Sequence, residues 1–325
     1  MIHYPKNLLS FINTSNKNQT FFNIYKKLGS PRPFDVSLRD GLQGLNKNQQ
    51  EIFTFDTKKN YFHQIMENNY PSSMEIGSIT SNKVLPIFKD SKDLFQYASG
   101  YSSTQKEIDN TSYFLLIPNK EKLNELLLET NTNTNTNYTN FSFITSVSNS
   151  FQMKNTKKTI NEMNNEITAM LQILDNRLTN NKLDYKVKLY ISCINECPIE
   201  GRINNNDIIN EILKYNSVKI SNICLSDTMG TLTPDDFEYI VDTCNKKGIL
   251  FSKFSLHLHV NPSRESIAEQ IFNKAFDRNI TQFDVSDLET GGCSVTMDVN
   301  KLKPNLSYAL YYEFLTKYIM TKINN

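Results

Sequence analysis

The 325-residue sequence has no excess of charge of either sign, since 34 acidic residues balance 35 Lys and Arg. Balanced charge removes the usual argument for a nucleic-acid partner or a membrane surface. No apolar run approaches the roughly 18 residues of a membrane-spanning helix, which predicts a soluble protein. Cysteine is scarce, and its odd number of five favours reduced thiols in an intracellular protein over a disulfide framework. A zinc site is disfavoured because Cys193 and Cys197 have no second pair at a suitable spacing.

Acidic residues are absent from the first 34 residues, which contain Lys, Asn and Ser. This composition fits a mitochondrial presequence and, equally well, a leader biased toward Lys and Asn. We therefore divide the chain into an N-terminal leader, 1–32, and a catalytic domain, 33–325. The compartment stays open between the mitochondrial matrix and the cytoplasm. The alternating Asn and Thr of 131–137 cannot bury a core face, which predicts a polar loop insertion at 130–140 without a catalytic role.

Short β-rich runs alternate with helical patterns along the chain. Eight such strand–helix units predict a parallel sheet that closes into a single (β/α)8 barrel of the α/β class. The alternative, an open doubly wound sheet, is disfavoured because no Gly-rich phosphate fingerprint follows the first strand. Strands are predicted at 34–37, 74–76, 113–117, 141–145, 187–192, 220–225, 254–259 and 282–285, and helices at 48–68, 83–98, 120–129, 156–178, 205–215, 234–247, 263–278 and 305–321.

Polar side chains follow every predicted strand. The active sites of barrels of this type lie at the carboxyl ends of the strands, so these residues are candidates for the chemistry. In chain order they are Arg39 with Asp40, Glu75, Asn119, Ser146 with Ser148, Cys193, Asp227, His257 with His259, and Cys293.

Asp40, His257 and His259 can form three corners of a divalent-metal site. Residues two apart on a strand point to the same face, so both histidines can face the barrel mouth. An isolated His-x-His is more often a pair of hydrogen-bonded polar residues, but Asp40 at the top of the first strand favours a metal. Mixed imidazole and carboxylate ligands suit Mg²⁺ or Mn²⁺. Beside them, Arg39 can hold an oxygen that becomes an enolate, with Glu75 fixing its orientation.

Two further candidate catalytic residues each have two possible interpretations. Gly291-Gly292-Cys293 is either a tight turn with a semi-buried thiol or a lid that brings Cys293 to the reacting carbon. Asp227 is either a cap at the end of its strand or a general base.

Motifs spread over residues 32 to 320 resemble those of the hydroxymethylglutaryl-CoA lyase family, which belongs to a wider group of metal-dependent TIM-barrel lyases and Claisen-type synthases. The segment CPIEGR is similar to the lyase branch rather than to the synthases. The motifs are RDGLQ at 39–43, Glu75, SITSNK at 78–83, the segment 113–119, YISC at 190–193, CPIEGR at 197–202, SDTMG at 226–230, HLH at 257–259, GGC at 291–293, and Asn305 with Leu306.

The resemblance implies a retro-Claisen cleavage of hydroxymethylglutaryl-CoA to acetyl-CoA and acetoacetate, with Mg²⁺ or Mn²⁺ as the cofactor. It also implies an acyl-CoA substrate and a homodimer, while the balanced charge and the lack of long apolar runs predict no nucleic-acid or membrane partner. Arg39 would stabilise the enolate, Asp227 or a water would act as the base, and Cys293 or His257 would return a proton. The implied metal ligands are Asp40, His257, His259 and Asn305, the remaining catalytic residue is Glu75, and the implied substrate contacts are Gln43, Asn119 and Ser148.

The sequence departs from the family pattern around this inner set. Val260 follows His259 where the family has Asp, Ser294 follows Cys293 where it has Pro, and Ala309 replaces an acidic residue. These changes motivate a third hypothesis beside the lyase and a condensing synthase of the same group. In it, the barrel has lost turnover and serves as a binding protein.

Overall fold

Eight parallel strands form a closed barrel in the computed structural model, which describes residues 31–101, 111–129, 138–179, 182–292, 294–298 and 301–324. The last barrel strand pairs with the first and closes the sheet, with Phe34 opposite Asp284. The barrel strands are β1 (Phe34–Asp35), β2 (Ser73–Ser78), β3 (Ser112–Leu116), β4 (Asn140–Ser146), β5 (Lys186–Ser192), β8 (Asn222–Asp227), β9 (Phe254–Leu258) and β10 (Gln282–Val285). A separate antiparallel hairpin consists of β6 (Glu196–Cys197) and β7 (Gly201–Arg202).

Helices connect the strands and cover the outside of the barrel. Several begin with a side-chain cap; in the helix Pro234–Lys246, for example, Thr233 accepts from the N–H of Asp236 and Pro234 occupies the first turn. The helices are α1 (Lys47–Ile52), α2 (Phe55–Asn68), α3 (Ser91–Ser99), α4 (Lys120–Glu129), α5 (Asn149–Thr156), α6 (Ile160–Arg177), α7 (Asn205–Leu213), α8 (Pro234–Lys246), α9 (Glu265–Asp277) and α10 (Tyr308–Asn324).

The apolar core lies mainly between the strands and the helices. Side chains alternate along each strand, so one set packs against helices while the other fills the barrel. Inside the barrel, Phe34, Val36 and Phe114 form one buried cluster. Leu116, Tyr190 and Cys224 form another. These clusters close the barrel interior as a packed core, which leaves the carboxyl ends of the strands as the place for a site.

The predicted (β/α)8 barrel is confirmed, with corrections to three predicted helices. The helix predicted at 83–98 begins only at Ser91, after a separate 3-10 turn at Pro86–Phe88. The predicted helix at 48–68 is two helices, α1 and α2, separated at Phe53 and Thr54. The predicted helix at 156–178 is preceded by a separate helix, α5, which ends at Lys157 in the left-handed region (φ 60°). A non-Gly residue in that region breaks the helical path, so the chain restarts at Thr159 with a new cap.

Two predictions concern segments that lie largely outside the described residues. These are the leader at 1–32 and the polar insertion at 130–140. In the part of the chain that the structure describes, no helix combines the length and apolar character needed to cross a membrane.

Candidate active site

A tight turn after β1 delivers two of the predicted residues to the barrel mouth. Residues Ser37–Gly41 form a single turn of π-helix, in which the N–H of Gly41 bonds to the carbonyl of Val36 at 3.1 Å. A Cβ at Gly41 would lie 2.8 Å from Oγ of Ser286, so only glycine allows this close approach to the end of β10. The turn holds the buried side chains of Arg39 and Asp40 above the strands.

Asp40, His257 and His259 converge at the mouth of the barrel. Their ligand atoms all lie within 4.8 Å of one another, and all three side chains are buried. Nε2 of His257 is 3.2 Å from Nε2 of His259 and 3.7 Å from Oδ2 of Asp40. Within the described residues, no other group of three His, Cys, Asp or Glu side chains has the geometry to hold a metal ion.

The second nitrogen of each histidine has its own acceptor. Nδ1 of His257 lies 3.1 Å from Oδ2 of Asp284, and Nδ1 of His259 lies 2.9 Å from the carbonyl of Lys303. These partners assign the proton to Nδ1 in both rings and direct the Nε2 lone pairs toward each other and Asp40. Burial lowers the pKa of His259 to about 4, which keeps that ring neutral at pH 7. Converging lone pairs beside a carboxylate are unfavourable alone and fit a cation.

Asn305 completes the ring of donors around Asp40. Its Nδ2 donates to Oδ2 of Asp40 at 3.0 Å, while its buried Oδ1 has no hydrogen-bond partner in the part of the chain that the structure describes. The N–H of Gly292 also donates to Oδ2 of Asp40, at 2.9 Å. Burial would raise the pKa of Asp40, but the charge of Arg39, the two histidines and the N–H of Gly292 hold it well below its usual range. The site therefore presents an ionised carboxylate, two imidazole nitrogens and an unpaired amide oxygen.

Arg39 is fixed by two carboxylates and an aromatic ring. Its Nε donates to Glu75, one terminal nitrogen donates to Oδ1 of Asp40 at 2.5 Å, and its guanidinium lies 5.0 Å from the centre of the Tyr190 ring. The hydroxyl of Tyr190 donates to the same Glu75 oxygen at 3.3 Å. Burial would lower the pKa of Arg39, but Glu75 and Asp40 more than offset this and raise it. The result is a permanent, preorganised positive charge next to Asp40.

A buried ion pair lies next to His257 inside the barrel. Asp284 on β10 accepts from His257 and forms an ion pair with Lys188 on β5. The Lys188 ammonium also lies 3.5 Å from the centre of the Phe34 ring. Burial would raise the pKa of Asp284, but Lys188 and the bond to His257 lower it. Asp284 thus stays ionised and holds the His257 ring in one orientation.

A cleft of about 370 Å³ opens above these residues, within the range of small-molecule sites, roughly 300–1,000 Å³. Arg39, Asp40, His257 and His259 line its polar end. Apolar side chains, including Leu116, Ile144 and Phe151, also line the cleft. The rim is basic and contains Lys122, Lys154, Lys157 and Lys158. The cleft therefore combines a candidate metal centre with a route for an anionic tail.

Comparison with known proteins finds relatives that match most of the chain. No family model matches the chain. Cytoplasmic 3-hydroxy-3-methylglutaryl-CoA lyase of Rattus norvegicus is 23% identical over 259 residues, covering 80% of this chain and 67% of the rat protein. Hydroxymethylglutaryl-CoA lyase YngG of Bacillus subtilis is 25% identical, over 80% of this chain and 77% of its own length. The resemblance to hydroxymethylglutaryl-CoA lyases that the motifs indicate is thus confirmed as similarity over most of the chain.

Solved structures of hydroxymethylglutaryl-CoA lyases share the fold. The Bacillus subtilis enzyme matches with a TM-score of 0.70 and 22% identity, over 89% of this chain and 87% of its own. A lyase from Acinetobacter baumannii in complex with coenzyme A and 3-methylmalate matches with a TM-score of 0.69 and 22% identity, over 89% and 84% of the chains. These matches show the same closed barrel at low identity.

Among the substrate contacts that the resemblance to these lyases implies, Gln43 and Asn119 line the cleft and Ser148 does not line it. Asn119 also accepts from the N–H of Lys122 at 2.9 Å, which caps α4. Ser148 is the cap of α5, where it accepts from the N–H of Phe151 at 3.1 Å.

Asp227 has the geometry of a cap. Its two carboxylate oxygens accept from the N–H groups of Thr231 and Leu232, each at 3.0 Å. It borders a small gap against α9, while its neighbour Ser226 lines the cleft. Strand alternation gives the reason, since Ser226 is level with inward-facing His257 and Asp227 with outward-facing Leu258. Cys293 lies outside the described residues; the Gly292 before it lines the cleft.

Two residues that hold the candidate metal centre in place did not emerge from the sequence. Lys188 and Asp284 lie inside predicted core strands, where a charged side chain requires a partner. Their positions gave a signal, because Lys188 shares strand parity with Tyr190 and therefore faces the barrel interior. The pairing itself needed barrel closure, because the two residues are 96 positions apart in the sequence.

Proposed function

We propose that this protein is a divalent-metal-dependent carbon–carbon lyase that cleaves hydroxymethylglutaryl-CoA, or a closely related 3-hydroxyacyl-CoA, by a retro-Claisen reaction. The observation that carries the proposal is the convergence of Asp40, His257 and His259 within 4.8 Å of one another, directly beside Arg39. Similarity to hydroxymethylglutaryl-CoA lyases supports carbon–carbon cleavage, and the geometry of these residues fits the cation that this reaction requires.

The residues fit Mg²⁺ or Mn²⁺ in two respects. The ligand set is one carboxylate, two imidazoles and the amide oxygen of Asn305, which has no hydrogen-bond partner among the described residues. Both imidazoles are oriented through Nδ1, as ligating histidines commonly are. A bound cation would supply Lewis acidity to the substrate's hydroxyl and carbonyl oxygens.

The protein's own residues then divide the remaining work. Arg39 lines the cleft and presents N–H groups to the thioester oxygen on which negative charge develops. Glu75 and Tyr190 keep its guanidinium in place, so little reorganisation is needed as that charge forms. Because Asp227 bonds to backbone N–H groups away from the cleft, a water is the better candidate for the base. Cys293, next to Gly292, remains the proposed proton donor.

The basic rim supports a coenzyme A substrate. Lys154 and Lys157 are exposed at the cleft edge, whereas Lys158 is paired with Glu166 at 2.6 Å. The Acinetobacter baumannii relative was solved with coenzyme A, whose phosphates need such cations. Replacing Lys154 and Lys157 with Ala should raise KM for the CoA thioester severalfold with little change in kcat. It should leave KM unchanged for a short thioester without phosphates, and Lys247→Ala is the surface control.

The test of the proposal is release of acetyl-CoA and acetoacetate from hydroxymethylglutaryl-CoA with Mn²⁺ or Mg²⁺. We expect metal-dependent turnover that Asp40→Ala and His257→Ala abolish and that the surface variant Asp56→Ala retains. Cleavage of a different 3-hydroxyacyl-CoA would support the lyase activity with another acyl group as the substrate. Condensation of acetyl-CoA with a keto acid would favour the synthase. Metal binding without any turnover would favour a barrel that has lost turnover and serves as a binding protein.

A further inference from the structure

One buried hydroxyl lies beside the candidate metal centre without a partner from the protein. Ser226 is on β8, opposite the inward-facing His257 on β9. It lines the cleft and is 5% exposed. Its Oγ has no hydrogen-bond partner among the described residues. A buried hydroxyl without a partner is unfavourable, so this one indicates a partner that arrives with a ligand.

Two other buried hydroxyls of the cleft differ, because the protein itself engages them. Ser78 donates to the carbonyl of Leu116 at 3.2 Å. Oγ1 of Thr228 accepts from the N–H of Cys193 at 2.8 Å. Both side chains line the cleft, and both are held by the backbone of a neighbouring strand or turn. Of these three hydroxyls, Ser226 is the one that a ligand can engage without breaking a contact.

A second serine lies beside Ser226 on the neighbouring strand. Ile191 on β5 is level with Leu225 on β8, so the residues that follow them, Ser192 and Ser226, are side by side. Ser192 also lines the cleft and is 6% exposed. Ser192 and Ser226 together form a serine patch next to His257.

The serine patch lies between the candidate metal ligands and apolar side chains. Beyond β5, the next strands around the barrel are β4 and β3, which contribute Ile144 and Leu116 to the cleft. A substrate held at the metal centre by two of its oxygens must place its remaining substituents over the serine patch or over these apolar residues. Hydroxyls donate to a carboxylate, whereas apolar side chains suit a methyl group.

We propose that Ser226, with Ser192 beside it, binds a carboxylate on the arm of the acyl group that does not carry the thioester. The inference rests on the proposed function, in which Arg39 faces the thioester oxygen and the metal centre takes the substrate's hydroxyl. The Ser226 hydroxyl donates to a carboxylate oxygen, and the buried group thereby gains its partner. Ser226 thus determines specificity, because it selects an acidic acyl chain over an alkyl chain of the same length.

The test compares glutaryl-CoA with pentanoyl-CoA, whose acyl chains are equally long and end in a carboxylate and a methyl group. Both lack the 3-hydroxyl that retro-Claisen cleavage requires, so calorimetry with the Mn²⁺-loaded protein measures binding without turnover. We expect Ser226→Ala to weaken glutaryl-CoA binding about 10-fold, as for loss of a hydrogen bond to a charged group, and to leave pentanoyl-CoA binding unchanged. The control is Ser217→Ala at an exposed turn, which should bind both thioesters as the native protein does.

Stability separates this binding role from a structural one. Ser226→Ala removes no hydrogen bond to a described residue, so the free energy of unfolding of the ligand-free protein should not fall. Ser226→Cys keeps a side chain of similar size with a weak donor, and should lose glutaryl-CoA affinity as the Ala variant does. With hydroxymethylglutaryl-CoA, both variants should raise KM and leave kcat nearly unchanged.

The outcomes that overturn the proposal differ from those that overturn the lyase. Native glutaryl-CoA binding by either Ser226 variant, or an equal loss for both thioesters, would overturn the carboxylate subsite, while cleavage of hydroxymethylglutaryl-CoA by the native protein would still stand. Failure of the native protein to bind either thioester would overturn the acyl-CoA function and, with it, the subsite.

Discussion

Oδ2 of Asp284 lies 3.1 Å from Nδ1 of His257 and thereby turns Nε2 of that ring toward Asp40 and His259. The carboxylate is on β10 and the imidazole on β9, so the pairing of adjacent strands fixes their relation. Lys188 on the far side of Asp284 keeps the carboxylate ionised. The orientation of a candidate metal ligand thus depends on an ion pair inside the barrel.

Asp284→Asn should weaken metal binding without removing any ligand. An amide accepts less strongly from Nδ1 of His257, and loss of such a partner costs about 10–100-fold in metal affinity. Mn²⁺ titration by calorimetry measures the change, with Asp235→Asn on the protein surface as the control. Native affinity in Asp284→Asn would show that the contact does not orient the ligand.

Arg39→Lys should separate chemistry from metal binding. Lysine keeps the positive charge but cannot bond to Glu75 and Asp40 while also presenting a donor to the substrate. We expect kcat to fall by about 10²–10³-fold, as for the loss of one preorganised donor. Mn²⁺ affinity should stay within a few-fold of the native value. An unchanged kcat would show that Arg39 takes no part in the reaction.

Asp227→Asn distinguishes the cap from the base. The amide can accept from only one of the two N–H groups of Thr231 and Leu232, so one buried donor loses its partner. We expect the free energy of unfolding to drop by about 1–3 kcal/mol, with kcat changed only slightly. Urea denaturation and the product assay measure the two effects. A kcat loss of about 10²–10⁴-fold with unchanged stability would show instead that Asp227 acts as the general base.

Asp35 should make stability depend on pH. Burial raises its pKa in the folded protein to about 7, although Tyr308 and Ser37 donate to it. The folded state therefore binds the proton more tightly than the unfolded chain, and its stabilising contribution is lost as pH rises toward and through 7. Between pH 5 and pH 7 the free energy of unfolding of the native protein should fall by about 2 kcal/mol relative to that of Asp35→Asn. Parallel pH profiles of the two proteins would contradict the raised pKa.

Much of the architecture follows from local patterns. Eight apolar runs with intervening helical periods suffice for the barrel, and alternation along a strand places His257 and His259 on one face. The same rule, applied to Ser226 and Leu258, would have turned Asp227 away from the cleft. That interpretation stayed open because the register between β8 and β9 is not visible in the sequence.

Other features depend on contacts between distant segments. Lys188 meets Asp284 only because the barrel closes, and Cys197 meets Ser148 only because the β6–β7 hairpin folds against the start of α5. Neither pair has a spacing that local propensity could report. The extra helix α5 was missed for a related reason, since its end depends on the left-handed backbone of Lys157.

The central claim is that Asp40, His257 and His259 hold a cation that carbon–carbon cleavage requires. Its most direct test is a Mn²⁺ titration of metal-depleted protein, in which metal binding and hydroxymethylglutaryl-CoA cleavage are followed together. We expect one ion per chain, turnover that rises in step with occupancy, and loss of both in Asp40→Ala. Turnover in the fully depleted protein, or Mn²⁺ bound equally by native protein and Asp40→Ala, would contradict the account.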